Sequence, residues 1–323
     1  MSGHWAKQRE RGSILGMRLM VRIALTFGRR ATRALLYPIC FYYFLFARRA
    51  VRYSRTYLTR ALGRPATWRD VYRHYFVFAS VLLDRAFLFA GRPQVLEISA
   101  ENSELVRRLA AENRGCLLLG AHLGSFDVTR KLGHERKRIE VNMMMYEDNA
   151  RKLNAVIDSV GGRARMKVIP IGQIDSLIRA KERLDHGEWV GILGDRAVDS
   201  DRLVRVPFLG AEAAFPAGPF LMASALRVPV VLFACVYLGG NHYKEHFELF
   251  TEELRIDRAR RDADLEKWVR RYAERLEHYC RLAPYNWFNF YDFWQITPPA
   301  TAPVRRASST VMSAPVGGKP LHP

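Results

Sequence analysis

Short apolar runs alternate with amphipathic stretches through the middle of the chain. The runs are VLEI (95–98), CLLLGA (116–121), IEVNMMMY (139–146), KVIPI (167–171), WVGILG (189–194), LVRVPFLG (203–210) and VPVVLFACVYL (228–238). Runs of this length, bounded by Gly, Pro and charged residues, read as buried strands. Between several of them, near 101–113, 123–133, 147–159, 173–186 and 217–226, apolar residues recur at helical spacing. Strands alternating with helices predict an α/β fold, a mostly parallel central sheet flanked by helices. Gly239-Gly240-Asn241 predicts a hairpin turn.

The flanks read differently. Over 52–92, Val71, Tyr75, Phe78, Leu82, Phe87 and Phe89 fall near helical spacing, and Gly91-Arg92-Pro93 ends the pattern. A second amphipathic helix is predicted over 262–282, with Leu265, Trp268, Val269, Tyr272, Leu276, Tyr279 and Cys280 on one face. The aromatic stretch PYNWFNFYDFW (284–294) follows and suits packing in the core or at a membrane edge. Residues 297–323, rich in Pro, Ala, Ser and Thr, are expected to be disordered. The expected organisation is an anchoring segment (1–60), an α/β domain (61–296) and a disordered tail.

Charge sharpens the picture at the N-terminus. The chain of 323 residues carries a net charge of +19, and residues 1–60 hold 13 Lys/Arg against one acid, Glu10. The basic residues are interleaved with apolar ones, including fourteen uncharged positions in ALLYPICFYYFLFA (34–47). Arg29, Arg30 and Arg33 precede that stretch; Arg48, Arg49, Arg52 and Arg55 follow it. A fourteen-residue helix is about 21 Å long, against about 30 Å of hydrocarbon in a bilayer. The segment therefore predicts an interfacial or shallow membrane anchor; a buried core helix is the alternative. No small-residue cleavage site follows, so a secretory signal is not expected.

Cys40, Cys116, Cys235 and Cys280 lie far apart in apolar surroundings and form no CxxC pair, which predicts reduced, buried thiols. HYKEH (242–246) matches H-x-x-E-H formally, but FELF follows and the stretch reads as a strand. Strand residues four apart are about 13 Å apart, too far to share a metal. No metal is expected.

The chemistry candidates lie in LLLGAHLGSFDVTR (118–131). His122 ends a buried-strand pattern, where α/β proteins present ligand-binding residues. Gly124 and Ser125 keep its surroundings small. Asp127, in the first turn of the next helix, could bond one imidazole nitrogen and leave the other as a base. A lone His and Asp five apart equally suits an ordinary structural histidine. Asp195-Arg196 ends another buried strand. Arg196 is expected to bind an anionic substrate group or the reaction oxyanion, or else to pair with Asp195 and close a loop. Arg202 and Arg205 read as surface residues.

Taken in order, GAHLGSFD, YEDNARKLNAVIDSVGG (146–162) and GILGDRAVDSDRLVRVPFLGAEAAFPAGPFLMASALRVPVV (191–231) resemble the lysophospholipid acyltransferase superfamily. The chain is most similar to the bacterial lipid A secondary (lauroyl/myristoyl) acyltransferases, over about 15–295. The resemblance implies an N-terminal membrane anchor, a location on the cytoplasmic face of the inner membrane, and fatty acyl transfer from acyl carrier protein to a lipid acceptor. It implies His122 and Asp127 as catalytic residues, and Gly124, Ser125, Asp195, Arg196, Phe215 and Pro216 as substrate contacts. The only cofactor-like component is the donor thioester. Phe215-Pro216-Ala217-Gly218 lacks the Glu of the Phe-Pro-Glu-Gly-Thr block in glycerol-phosphate acyltransferases, which disfavours a simple glycerol-phosphate acceptor.

The expected partners are thus acyl carrier protein, a lipid acceptor hydroxyl or amine and a membrane surface, with no nucleic acid. A lysophospholipid acceptor with coenzyme A as carrier is the alternative within the class. A non-enzymatic basic protein that binds membranes or nucleic acid is the rival outside it.

Overall fold

The computed structural model describes residues 14–129, 139–147, 151, 154, 167–173, 175–197 and 201–294. Two expected elements, most of the helix over 147–159 and the tail from 297, lie outside them. The fold is α/β. Among the described residues, seven strands form one sheet in the order β1-β9-β8-β2-β5-β3-β4. They are β1 (Glu97–Glu101), β2 (Leu117–Gly120), β3 (Val141–Met145), β4 (Val168–Pro170), β5 (Trp189–Leu193), β8 (Val230–Gly239) and β9 (His242–Thr251). All neighbours run parallel except β8 and β9. That pair is the hairpin expected at Gly239-Gly240-Asn241. β2 is buried at every position, as its unbroken apolar run requires of a central strand covered on both faces.

The run LVRVPFLG departs from the expected pattern. β6 (Leu203–Phe208) leaves the main sheet and pairs antiparallel with β7 (Ala211–Pro216), whose AEAAFP sequence carries little strand signal. Leu209 and Gly210 both take positive φ at the turn between them.

The helical run over 52–92 is two helices, not one. α2 (Arg48–Leu62) stops at Gly63, whose φ of 66° is left-handed. α3 (Trp68–Phe89) restarts from a capping box in which Thr67 and Asp70 satisfy each other's backbone N–H. Before them, α1 (Ile14–Phe46) is broken at Gly28 and contains Pro38.

One side of α1 packs on α3. Ala24, Leu36 and Cys40 are buried, and Arg29 forms a two-pronged ion pair with buried Asp84 at 2.6 and 2.9 Å. The other side exposes Leu35, Tyr37, Phe41, Tyr42, Leu45 and Phe46. Among the described residues no single helix is long and apolar enough to cross a membrane; α1 from Leu19 and α2 meet such a test only as a pair bent by 97°.

Further helices among the described residues are α4 (Ser103–Ala111), α5 (described over 126–129), α6 (Ser176–Asp185), α7 (Gly218–Leu226) and α8 (Arg261–Leu282). α8 buries Leu265, Val269, Tyr272, Leu276, Tyr279 and Cys280, the face expected of it. All four cysteines are free and buried.

Candidate active site

β2 and β5 are parallel neighbours, with Gly120 opposite Leu193. The residues that follow them therefore emerge side by side, although 73 positions separate them in sequence. His122 follows β2 and Asp195 follows β5. The His122 Nδ1 lies 2.8 Å from Asp195 Oδ1. The His122 backbone N–H points at the same carboxylate, 3.1 Å from each oxygen. The Trp287 indole donates to Oδ2 at 2.9 Å. With three donor groups converging on it, the Asp195 carboxylate accepts from Nδ1–H. That fixes the tautomer and leaves Nε2 with its lone pair.

The charges support this state. Burial pushes the Asp195 pKa upward, but His122, Arg196 and the indole more than offset it and hold the carboxyl at about 2. His122 is held below its ordinary 6.5, first by burial and then by Arg196, with Asp195 acting in the opposite direction and Arg85 adding to the depression. Its side chain is still 35% exposed, whereas that of Asp195 is 1% exposed. A neutral imidazole with one nitrogen anchored and some surface open is equipped to accept a proton.

The aromatic segment closes one side of the site. A turn at Pro284–Asn286 leads into it. Asn286 bonds the backbone of Tyr237 on β8 in both directions, at 2.7 and 3.1 Å. The segment then runs antiparallel to the His122 loop: Gly124 N–H donates to Asn286 O at 2.8 Å and Phe288 N–H to His122 O at 3.0 Å. Behind Trp287, buried His74 on α3 bridges the Trp287 carbonyl at 3.0 Å and the Ser54 hydroxyl at 2.8 Å. Burial lowers the His74 pKa to about 3, so it stays neutral. These aromatics are core residues, and they also support the site.

Gly124 is needed for its backbone. Its φ is +65°, and a Cβ there would sit 1.7 Å from Cys235 O. Ser125 is buried, and its hydroxyl has no hydrogen-bond partner among the described residues. Arg196 donates to Phe288 O at 2.8 Å and lies 5.6 Å from the Tyr291 ring. It therefore ties the closing segment down while placing its charge near His122.

Two expectations change. Asp127 makes no hydrogen bond to His122. It pairs instead with Arg85 of α3, 2.6 Å from Nε. The reason is topological: the neighbouring strand delivers Asp195 to Nδ1 first, and α3 offers Asp127 a guanidinium. Phe215 and Pro216, expected to contact substrate, are buried on β7. Phe215 packs among Phe208, Tyr272 and Phe293 and has no exposed surface.

Sequence reasoning did not find Arg85, His74 or Trp287 as site residues, and it assigned Asp195 to substrate rather than to His122. Two buried-strand patterns each ending in a polar residue were the available signal. Their adjacency in the sheet was not readable from the chain. HYKEH lies on β9 as a strand, as expected, and no group of three or more metal-ligating side chains occurs among the described residues.

A family model for bacterial lipid A biosynthesis acyltransferases matches residues 78–295, which include His122, Asp127, Asp195 and Trp287. Comparison with curated proteins finds no match.

Proposed function

Because the chain belongs to the family of bacterial lipid A biosynthesis acyltransferases, we propose that it moves a fatty acyl group from an acyl-carrier-protein thioester to a hydroxyl or amine of a lipid acceptor, with His122 as general base. The observation that carries the reading is the His122–Asp195 pair, with Nδ1 anchored on a buried carboxylate at 2.8 Å and Nε2 making no hydrogen bond among the described residues. In the proposed step Nε2 takes the acceptor proton as the acceptor oxygen or nitrogen attacks the thioester carbonyl. Asp195 stabilises the imidazolium that forms. The nearby Arg196 charge favours the tetrahedral oxyanion. Collapse breaks the carbon–sulfur bond, and the leaving thiolate takes the proton back from His122. The products are an ester or amide and a free pantetheine thiol. Asp127 belongs to the same site through Arg85.

The donor reading follows from charge: a chain of net +19 suits an acidic carrier protein. The membrane reading follows from the exposed aromatic side of α1 beside Arg48, Arg49, Arg52 and Arg55. The proposed location, as the family resemblance implies, is the cytoplasmic face of a bacterial inner membrane. Purified protein incubated with a total lipid extract and labelled acyl carrier protein, or in parallel labelled acyl-coenzyme A, should yield a new labelled lipid with the first donor. No labelled lipid from either donor would contradict the activity; product from acyl-coenzyme A alone would favour the lysophospholipid reading. Recovery of the intact chain in the soluble fraction at low salt would contradict the membrane reading.

A further inference from the structure

Asp127 sits five residues after His122, yet its carboxylate is turned to α3. Arg85 meets it there through Nε at 2.6 Å, with side-chain exposures of 30% and 8%. The contact is an ion pair rather than an aligned hydrogen bond: the buried Arg85 Nε has no hydrogen-bond acceptor among the described residues. The guanidinium lies 5.6 Å from the Phe89 ring, one helical turn along. An arginine steered by a carboxylate on one side and an aromatic ring on the other is held at a set angle, with incompletely satisfied donors.

The neighbouring residue, Asp84, is already engaged with Arg29 and with the Tyr243 hydroxyl at 2.7 Å. α3 is thereby fixed, and Arg85 projects from a rigid element towards the catalytic loop. Arg196, a second cation near His122, spends a donor on Phe288 O. Arg85 is the cation whose fork is better placed to meet a ligand.

We propose that Arg85, oriented by Asp127, binds a phosphate group of a substrate beside His122, and that Asp127 is the positioning residue for that arginine. This rests on the acyl-transfer reading. A guanidinium fork matches two phosphate oxygens, and fixing it beforehand reduces the ordering cost of binding. Both substrates of such a reaction carry phosphate: lipid acceptors bring a phosphate headgroup, and the pantetheine arm of a carrier has a phosphodiester at its far end from the thioester.

The test is direct binding, which needs no turnover and so fails independently of the acyltransferase reading. Calorimetry on the intact protein would compare S-acyl-4′-phosphopantetheine with S-acylpantetheine, and 1-acylglycerol 3-phosphate with monoacylglycerol in the same mixed micelles. The wild type should prefer the phosphate-bearing member of at least one pair by about 10–100-fold, and the pair that shows the preference identifies the source. Arg85→Gln should abolish it, and Arg85→Lys should retain part. Asp127→Asn should weaken it, and adding it to Arg85→Gln should cost nothing further. Circular dichroism checks folding; if Arg85→Gln does not fold, Arg85→Lys carries the test, with a preference reduced by about 3–10-fold. The proposal is overturned if neither pair shows a phosphate preference, or if the folded variants keep it undiminished.

Discussion

Replacing Asp195 with Asn isolates the charge that orients His122. The substitution keeps the shape but alters every contact of the carboxylate. Oδ1 receives Nδ1 at 2.8 Å, and Oδ2 receives the Trp287 indole at 2.9 Å. An amide has one acceptor oxygen and one NH2. If the NH2 faces Nδ1, the imidazole must place its proton on Nε2, and the base is lost. If the NH2 faces the indole, two buried donors oppose each other. In either orientation the imidazolium loses its charged partner. A hydrogen bond to a charged group contributes about 1.5–3 kcal/mol, or roughly 10–150-fold in rate. The tautomer effect adds to this, so kcat for Asp195→Asn should fall by about 10²–10⁴-fold. Asp195 raises the pKa of His122 against burial and Arg196. Its removal should therefore move the acid limb of kcat/KM to still lower pH while the plateau drops. The assay is initial-rate acyl transfer across pH 5–8, with circular dichroism on the same samples. A folded Asp195→Asn protein within about threefold of wild type would refute this account of the site, because loss of a partnered base costs about 10²-fold or more.

Two further outcomes follow from the same geometry. Gly124→Ala should destabilise the fold by about 3 kcal/mol or more, since the left-handed φ is strained for alanine and the Cβ meets Cys235 O at 1.7 Å; an unchanged urea midpoint would contradict the loop packing. His74 has a folded pKa of about 3 against an ordinary 6.5. Its contribution to stability is complete above about pH 6.5 and is lost as pH falls towards 3, by as much as about 4 kcal/mol. His74→Gln should flatten that limb of the stability profile; parallel profiles for the two proteins would show that His74 is not buried neutral.

The sheet was legible because parallel strands covered on both faces must be apolar throughout, and runs such as LLLG and WVGIL carry that signature. β7 escaped because Ala and Glu dominate it and its pairing with β6 is set by the turn at Leu209-Gly210. The break between α2 and α3 was written locally in Gly63, Pro65 and the Thr67–Asp70 cap, but helical periodicity on both sides masked it. His122 was legible from its place at a strand end. Its partner was not, because the order of strands in a sheet is a property of the whole chain: Asp127 was near in sequence, while Asp195 was near in space. Trp287 and His74 reach the site through packing, which no local pattern encodes.

Each proposed role in the site depends on His122 acting as the base. The decisive measurement is the rate of acyl transfer by purified His122→Ala, beside wild type, from labelled acyl carrier protein to the lipid that the wild type modifies. The expected result is a folded protein whose turnover is lower by at least about 10²–10⁴-fold, with a double variant carrying Asp195→Asn no slower than His122→Ala, since the two side chains act as one unit. A folded His122→Ala protein that transfers acyl groups at a near-normal rate would contradict the account and make His122 a structural residue.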